Sequence, residues 1–294
     1  MVQELLVISG KGGTGKTSVV GSLAALAKNK VLADCDVDAA DLHLLLAPKV
    51  RKTYDFSASK EAVVHGDRCT GCERCISVCR FDALAMVDDL AAVDPIACEG
   101  CGVCAHICPR EAIVMDDVIS GNWYISDTDY GPMVHAKLGI AQENSGKLVT
   151  QVRREARKIA ERAGLDYIII DGPPGIGCPV ISSIAGVDLA LIVTEPTVSG
   201  IHDLERVLAL ADHFGIKTMV GINKYDLDLA STGKIEDYCR DRGALVAGRI
   251  PFDEAMVKAV VRGLAVVEYD PNGQAAKMMR AMWANILGCL EDAL

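Results

Sequence analysis

One segment constrains this chain more than any other, because it prescribes its own conformation and what must flank it. Directly after the apolar run at residues 5–8 come Gly10, Lys11, Gly12, Gly13, Thr14, Gly15, Lys16, Thr17 and Ser18. A strand, a glycine loop and a helix in that order are the context of a phosphate-binding P-loop, so we expect these residues to bind a nucleotide. Glycines let backbone N–H groups point at phosphate oxygens, Lys16 adds a mobile cation, and Thr17 offers a hydroxyl to Mg²⁺. The alternative, a glycine-rich turn with no ligand, does not account for the flanking strand and helix.

Lys11 carries further information, because an ordinary P-loop needs no charge at the second position of the motif. A lysine there resembles the deviant-Walker ATPases, the MinD, Mrp and ParA group that also includes the nitrogenase iron protein. In that family this lysine crosses a dimer interface to the partner's phosphates, a role comparable to that of an arginine finger. The resemblance therefore implies a doubly wound, mostly parallel α/β sheet and catalytic roles for Lys11 and Lys16. It also implies a nucleotide-sandwich dimer with a second copy or a related subunit.

Composition bounds the partners and the compartment. The chain has 294 residues, half of them apolar, which is enough for one large domain and a small one. No run approaches the ~18 apolar residues of a membrane span, and the P-loop strand leaves no room for a signal peptide. A net charge of −10 disfavours nucleic acid and anionic membranes as partners. Twelve cysteines without an export signal favour metal ligation in a reducing cytoplasm over disulfides.

Acidic residues follow the second predicted strand, at residues 31–33. Carboxylates at the end of such a strand lie beside the nucleotide in an open α/β sheet. Cys35 and Asp36, with Asp41 five residues after Asp36, resemble switch I of the nitrogenase iron protein. By that resemblance Asp36 orients the attacking water and Asp41 lies near Mg²⁺. A solvated acidic loop is the alternative interpretation.

A second acid ends the apolar run at residues 167–170, which is typical of a strand buried on both faces. This residue, Asp171, is expected to be the Walker B-type carboxylate that holds Mg²⁺ through water. Residues 172–177 are rich in glycine and proline and resemble switch II, where a glycine N–H senses the γ-phosphate. A structural turn is the alternative.

Eight cysteines form two runs with identical spacing, 29 residues apart. The first run is Cys69, Cys72, Cys75 and Cys79, and the second is Cys98, Cys101, Cys104 and Cys108. This doubled C-x₂-C-x₂-C-x₃-C pattern resembles a bacterial-type ferredoxin with two [4Fe–4S] clusters, in which the fourth cysteine of each run ligates the other cluster. The resemblance assigns Cys69, Cys72, Cys75 and Cys108 to one cluster, and Cys79, Cys98, Cys101 and Cys104 to the other. Zinc is the rival, although structural zinc sites normally use two separated cysteine pairs.

The ferredoxin pattern predicts an α+β domain inserted into the ATPase. We expect the insert at residues 58–118 and the ATPase at residues 1–57 and 119–294, with paired terminal strands at residues 61–64 and 113–115. A connection rich in Gly, Asp and Tyr then leads to a helix at residues 146–163. The basic residues of that helix lie off its apolar stripe, which favours a solvated face over a DNA-binding ridge.

Two segments in the last third of the chain indicate which base the bound nucleotide carries. Asn223, Lys224, Tyr225 and Asp226 match the N-K-x-D motif of GTPases, in which the aspartate pairs with guanine. In the MinD/Mrp group an asparagine at this strand end contacts adenine, and Pro251 to Asp253 resembles the family's second base-contacting segment. ATP is therefore favoured over GTP. The last helix, at residues 274–290, is predicted to pack in the core, because a membrane-binding helix favours a polar face rich in Lys and Arg.

Cys178 lies seven residues after Asp171, where the nitrogenase iron protein places a cysteine that ligates a cluster across its dimer. Pro179 suits the first position of a helix, which predicts Cys178 as the N-cap. The chain has no second such cysteine between Trp123 and Asp171. Cys178 is thus either an interface thiol or a packed structural cysteine.

Three purposes are open for such a chain. ATP-gated electron transfer to an unidentified redox or metalloprotein partner is favoured, because two clusters of ferredoxin pattern suit electron relay. An iron–sulfur or metal-cluster assembly ATPase is the first alternative. A positioning ATPase whose clusters merely hold a docking domain together is the second.

Overall fold

Apolar runs of the sequence form the central strands of a large sheet. The computed structural model describes residues 2–139 and 145–292. Its strands are β1 (Gln3–Ser9), β2 (Lys30–Asp34), β3 (Lys49–Val64), β4 (Leu84–Val87), β5 (Leu90–Val93), β6 (Ile113–Thr128), β7 (Gly131–Leu138), β8 (Tyr167–Pro174), β9 (Leu189–Thr194), β10 (Thr218–Asn223) and β11 (Leu245–Ile250). Its helices are α1 (Lys16–Leu26), α2 (Leu42–Leu46), α3 (Arg74–Val78), α4 (Val103–Ile107), α5 (Ser145–Ala163), α6 (Cys178–Ile184), α7 (Val198–His213), α8 (Leu229–Arg242), α9 (Glu254–Val261), α10 (Val266–Tyr269) and α11 (Gln274–Glu291).

The chain divides into two units. The first contains the described residues up to Tyr54, then Trp123–Leu138, and then those from Ser145 onward. The second contains Asp55–Asn122 and Gly139. The predicted insert boundaries, at residues 58 and 118, fall inside β3 and β6, within a few residues of the points where the units divide.

The sheet of the first unit has the strand order β11-β10-β9-β1-β8-β2-β7-β6-β3. Every pairing from β11 through to β7 is parallel. This confirms the predicted α/β fold with a mostly parallel sheet. Strand β1 is buried along its whole length, because helices cover both faces of a parallel sheet.

Helix α11 packs its apolar stripe into the main core, as its sequence predicts. Met279, Met282 and Ile286 of this helix are fully buried in the same cluster as Leu5 and Val7 of β1. Among the described residues, no helix combines the length and apolarity that crossing a membrane requires.

Helix α5 corrects part of the prediction of a solvated basic face, since Arg154 is exposed but Arg153 and Arg157 bind an acid of the core. The guanidinium groups of Arg153 and Arg157 both bind the carboxylate of Glu4, which is 2% exposed. Arg153 also donates to the carbonyl oxygens of Ser182 and Ala185, each at 2.9 Å. These two arginines therefore fasten α5 to β1 and to the end of α6, because a buried carboxylate needs charged partners.

Sequence reasoning missed the strands at the sheet edge. The predicted connection after residue 118 is in fact the continuation of β6 to Thr128, a two-residue turn and β7. The first half of β3 was also missed, because its residues are exposed and show no continuous apolar run. A stack of Tyr54 on Trp123, with ring centroids 4.1 Å apart, and an Arg51–Asp127 ion pair join β3 to β6 there.

The second unit is built from two similar halves. Helix α4 repeats α3 at an offset of 29 residues, and so do three left-handed backbone positions. The pairs are Gly71 with Gly100, Glu73 with Gly102, and Asp82 with Glu111. The hairpin β4–β5 packs beside a small core that contains Cys75 and Cys104.

Candidate functional site

The glycine loop after β1 has the backbone that only glycine adopts readily. Gly13 and Gly15 have φ angles of 81° and 88°. A Cβ on Gly15 would lie 2.3 Å from the Nδ2 of Asn223. Helix α1 begins at Lys16, and no side chain among the described residues caps its N-terminus. Its first N–H groups are therefore directed at a ligand site, and an anion is favoured there.

Lys16 lies in a buried cluster of carboxylates at the carboxyl ends of β2 and β8. Its ammonium is 2.5 Å from Oδ1 of Asp171 and 3.3 Å from Oδ2 of Asp36. The Thr17 hydroxyl also hydrogen-bonds to Asp171. Burial alone lowers the pKa of Lys16, but the charges of Asp171 and Asp36 outweigh it and raise that pKa. Lys16 therefore stays charged, and it neutralises the two acids.

Asp34 belongs to the same cluster, although sequence reasoning gave it no role. Its backbone pairs in register with Asp171, which brings both carboxylates to one sheet edge. Its Oδ1 accepts from the Asp36 N–H at 3.2 Å, and its buried Oδ2 has no partner among the described residues. Burial, and next the charge of Asp171, raise the pKa of Asp34 well above its ordinary value. The signal that identifies Asp34 is its position as the last residue of β2.

The cluster has the donor chemistry of a Mg²⁺ site. Burial also raises the pKa of Asp171 and of Asp36, against the opposing charge of Lys16. One ammonium thus faces three buried carboxylates, one of them with an orphaned oxygen. Oxygen ligands of this type are those that Mg²⁺ takes, but the described side chains do not converge on one point. Asp41 is exposed at the start of α2, and its charge acts on Asp171. Thr17 therefore contacts Asp171 directly, whereas Asp41 acts on it only through its charge.

Switch II begins later than the sequence predicts. Residues 172–174 continue β8, Pro174 pairs with Ser9, and the Gly175 N–H donates to the Ser9 carbonyl at 2.8 Å. A Cβ on Gly172 would lie 2.5 Å from Cγ2 of Ile8, so this glycine permits the close approach of β8 to β1. The free loop starts at Gly175, whose φ is 92°.

Lys11 is bound within its own chain. Its ammonium lies 2.8 Å from Oε1 of Glu195 and 2.8 Å from Oγ of Ser199. Lys224 binds the other oxygen of Glu195, at 2.9 Å. Sequence reasoning gave Glu195 no role, since nothing in the local pattern joins it to a lysine so far away in the chain.

A cavity of about 250 Å³ lies where the base of a nucleotide is expected. Its lining residues are Gly13, Gly15, Ser18, Asn223, Lys224, Pro251, Phe252, Asp253, Met256, Val257 and Val260. The predicted base-contacting residues Asn223, Pro251 and Asp253 are thus brought together with the glycine loop. Phe252 and Val257 are more than half exposed, which leaves apolar surface at the cavity.

The polar groups of this cavity already have backbone partners. The Asn223 amide donates to the Thr14 carbonyl at 2.7 Å and accepts from the Lys224 N–H at 3.0 Å. Asp253 caps α9, accepting from the Ala255 N–H at 2.8 Å. Asp226, the acid of the N-K-x-D motif, accepts from the Phe252 N–H at 2.7 Å. Asp226 is therefore engaged in fixing the segment after β11.

His135 forms a polar group near the sheet edge that the sequence did not identify. It pairs in register with Asp34, and its Nε2 lies 2.8 Å from Oγ of Ser126. Its ring stacks on Tyr124 at 4.9 Å. Burial, and next the charge of His43, lower the pKa of His135 to about 4. His135 is therefore neutral in the folded protein at neutral pH.

The eight clustered cysteines line two cavities in the second unit. One cavity is lined by Cys69, Cys72, Cys75 and Cys108, and the other by Cys79, Cys98, Cys101 and Cys104. Each cavity thus takes three cysteines from one run and the fourth from the other.

Backbone groups point at some of these sulfurs. The N–H groups of Ala91 and Gly71 donate to Cys69 and lower its pKa, and the Ala112 N–H lies 3.3 Å from the sulfur of Cys108. Within residues 2–139 and 145–292, no three His, Cys, Asp or Glu side chains form a group that could hold a single metal ion.

Cys178 is exposed and is the first residue of α6, with Gly177 as the N-cap. The predicted cap position is therefore one residue too late. Pro179 still lies in the first turn, where it donates no hydrogen bond.

A family model describes most of this chain. The model of the CobQ/CobB/MinD/ParA nucleotide-binding domain matches residues 5–266. An uncharacterized protein of Methanocaldococcus jannaschii is 39% identical over 227 residues, covering 76% of this chain and 79% of that protein. The septum site-determining protein MinD of Bacillus subtilis is 25% identical over 298 residues, covering 98% of this chain and 90% of MinD.

Solved structures show the same fold. The cell division ATPase MinD of Pyrococcus furiosus has a TM-score of 0.57 and 22% identity, with 98% of this chain and 99% of that chain covered. MinD of Pyrococcus horikoshii, solved in complex with Mg-ADP, has a TM-score of 0.56 and 18% identity, with 100% and 99% covered. These matches confirm the resemblance for the nucleotide-binding fold, while the ferredoxin-type insert stays a prediction. With its P-loop geometry and a family model that spans most of its length, the chain belongs to the CobQ/CobB/MinD/ParA nucleotide-binding family and is a MinD/ParA-type ATPase.

Proposed function

We propose that this ATPase uses a nucleotide-dependent dimer switch to gate electron transfer, through two [4Fe–4S] clusters, to a partner protein. The observation that carries the proposal is the crosswise lining of two cavities by eight cysteines, in a chain that also has a P-loop ATPase site. The alternatives of cluster assembly and of protein positioning use the same two sites and differ in what the clusters do.

The nucleotide chemistry follows from the buried acid cluster. When ATP enters, Lys16 exchanges Asp171 and Asp36 for phosphate oxygens, because both acids now hold its ammonium. Asp36 is then free to orient the attacking water. Thr17, Asp41 and Asp171 would hold Mg²⁺, which supplies positive charge to the phosphates when bound.

The base cavity supports ATP over GTP. A GTPase-type aspartate must present its carboxylate to the guanine edge, but Asp226 accepts a backbone hydrogen bond from Phe252. Releasing Asp226 would leave the Phe252 N–H without that partner. Asn223, in contrast, lines the cavity, whereas Asp226 is not among its lining residues.

The second unit fits two iron–sulfur clusters by its donor chemistry. Each cavity offers four sulfurs, and the cysteines also form part of the unit's small apolar core. Bound clusters would supply one-electron carriers at these positions. Backbone N–H groups of Ala91 and Gly71 favour the thiolate of Cys69.

Zinc is the rival metal for this unit. Structural zinc sites normally use two separated cysteine pairs, whereas this unit has a four-cysteine run that occurs twice. That spacing is what favours clusters over zinc.

Gating requires that ATP bind two conformations unequally, since equal affinity would shift no population. We propose that Lys11 contacts the phosphates of the nucleotide bound to the second subunit. The cysteine-rich unit follows the switch I residues Asp36 and Asp41 in the chain, separated from them by α2 and the start of β3. We propose that movement of the switch is transmitted along this segment.

Positioning is the second candidate, and the comparisons favour it specifically. The Bacillus subtilis relative is a septum site-determining protein, and it aligns with 98% of this chain. In that case the clusters would only hold the second unit together, and their redox state would not matter.

Anaerobic metal analysis tests the clusters. We expect about eight iron atoms and eight acid-labile sulfides per chain, as two four-iron clusters require. Cys79→Ser should damage the cluster of Cys98, Cys101 and Cys104 and spare the other, as read by electron paramagnetic resonance. Cys239→Ala, which removes a buried thiol from α8, is the matched control and should keep both clusters. If Cys79→Ser instead lost the cluster of Cys69, Cys72 and Cys75, the crosswise assignment would be refuted.

A further inference from the structure

The Lys11 ammonium is held by a carboxylate that bridges two lysines. Glu195 follows β9, with one oxygen 2.8 Å from Lys11 and the other 2.9 Å from Lys224. The Glu195 side chain is 14% exposed, and each lysine side chain is 30% exposed. Burial alone would raise the pKa of Glu195, but its bonds to the two lysines outweigh burial and lower it. Glu195 is therefore ionised and holds both cations.

The loop that carries Glu195 is fixed against the P-loop. Thr197 caps α7 by accepting from the Gly200 N–H at 3.0 Å, and the Ser199 hydroxyl contacts Lys11. A Cβ on Gly10 would lie 2.4 Å from Cβ of Asp203, so the start of the P-loop packs tightly on α7. Lys11 is therefore held at a fixed position within its own chain by Glu195 and Ser199, a position we call its intramolecular seat.

The second lysine links this seat to the base cavity. Lys224 lines that cavity, and its ammonium also lies 3.5 Å from the Gly13 carbonyl. A bound nucleotide next to Lys224 can therefore perturb one of the two cations that share the Glu195 carboxylate.

We propose that Glu195 is a positioning residue that keeps Lys11 within its own subunit until a nucleotide-loaded second copy draws it away. This inference rests on the proposed sandwich dimer, in which Lys11 must reach the partner's phosphates. A lysine with 2.8 Å contacts to Glu195 and Ser199 cannot make that reach without releasing them. Glu195 thus opposes dimer formation and limits turnover by isolated subunits.

Glu195→Gln tests the proposal, because it removes the charge and keeps the shape of the side chain. We expect half-maximal dimerisation with a non-hydrolysable ATP analogue at a roughly 3- to 10-fold lower protein concentration, since the lost contact is a partly exposed ion pair. Analytical ultracentrifugation measures this. Glu195→Asp retains the charge on a shorter side chain. Its concentration of half-maximal dimerisation should lie between those of wild type and Glu195→Gln. Glu205→Gln, a carboxylate change elsewhere on α7, is the matched control and should match wild type.

A second readout does not depend on the dimer. In nucleotide-free protein, Lys11 should react with an amine acylating reagent several-fold faster in Glu195→Gln than in wild type, as counted by mass spectrometry of the Lys11 peptide. Unchanged labelling would overturn the intramolecular seat. Faster labelling with weaker dimerisation would show that Glu195 acts in the dimer, which also overturns the proposal. If no variant or wild type dimerises, the sandwich proposal fails, while the labelling still decides the seat.

Discussion

Replacing Lys16 by alanine should destabilise the nucleotide-free protein as well as abolish tight Mg·ATP binding. Lys16 is the cation bonded to the buried Asp171 and Asp36, whose side chains are 1% and 12% exposed. Removing one partner of a buried ion pair typically costs 3–5 kcal/mol, because the remaining charge is left uncompensated. Asp34 adds a further unpartnered carboxylate oxygen. We therefore expect Lys16→Ala to lower the free energy of unfolding by about 3 kcal/mol at pH 8.

The stability penalty of Lys16→Ala should depend on pH, and the pKa shifts of the neighbouring acids give the direction. The pKa values of Asp34, Asp36 and Asp171 are all raised in the fold, so these acids favour the folded state when protonated. That contribution is full below the ordinary aspartate pKa of about 3.9 and is lost as pH rises through the raised values. Without Lys16 those pKa values rise further, so the penalty of Lys16→Ala should shrink as the pH falls from 8 towards 5.

Urea unfolding followed by tryptophan fluorescence measures the effect, since both tryptophans, Trp123 and Trp283, lie in the first unit. Adding Asp171→Asn to Lys16→Ala should restore more than 1 kcal/mol, because it removes an uncompensated charge. Lys11→Ala, which breaks a partly exposed pair, is the control and should cost less than about 1 kcal/mol. Equal stability of Lys16→Ala and wild type at pH 8 would refute the reasoning.

Three further predictions follow from the described contacts. Lys11→Ala should keep nucleotide binding but lose the rise of ATPase rate with protein concentration; wild-type turnover in this variant would mean that the in-trans mechanism is wrong here. Because the pKa of His135 is about 4, against 6.5 ordinarily, its stabilising contribution is full above pH 6.5 and is lost as pH falls towards 4. His135→Gln should therefore reduce the acid-induced loss of unfolding free energy by about 3 kcal/mol, as measured by urea unfolding at several pH values, and an unchanged loss would contradict the pKa shift. Cys178→Ser should reduce metal content beyond the eight irons if Cys178 is an interface ligand, and unchanged content would leave Cys178 as an exposed thiol that binds no metal.

The P-loop and the central strands were predictable because their determinants are local. Gly13 and Gly15 have positive φ angles, which residues with a Cβ rarely adopt. The apolar run of β8 is identified as a buried strand from its own residues alone. The resemblance of the doubled cysteine run to a ferredoxin likewise implies which four cysteines line each cavity.

Contacts between residues far apart in the chain could not be predicted from the sequence. Glu195 lies far from Lys11 in the chain, and only the register of β9 beside β1 brings them together. Strand β7 and the part of β6 after residue 118 lack the continuous apolar pattern that identified β8, so they were assigned to a connection. Residues 172–174 were assigned to switch II because the Gly- and Pro-rich segment 172–177 resembles it, whereas in the structure Gly172 permits close packing of β8 on Ile8.

The central claim is that the nucleotide state controls the electron-transfer properties of the cysteine-rich unit. Its most direct test is a redox titration of anaerobically purified protein, monitored by electron paramagnetic resonance, with and without Mg²⁺ and a non-hydrolysable ATP analogue. The reoxidation rate with a soluble viologen is measured in parallel, and Lys16→Ala serves as the control that cannot bind the analogue. We predict that the analogue changes the reduction potential or the reoxidation rate in wild type and changes neither in Lys16→Ala. Identical potentials and rates in wild type with and without the analogue would contradict gating.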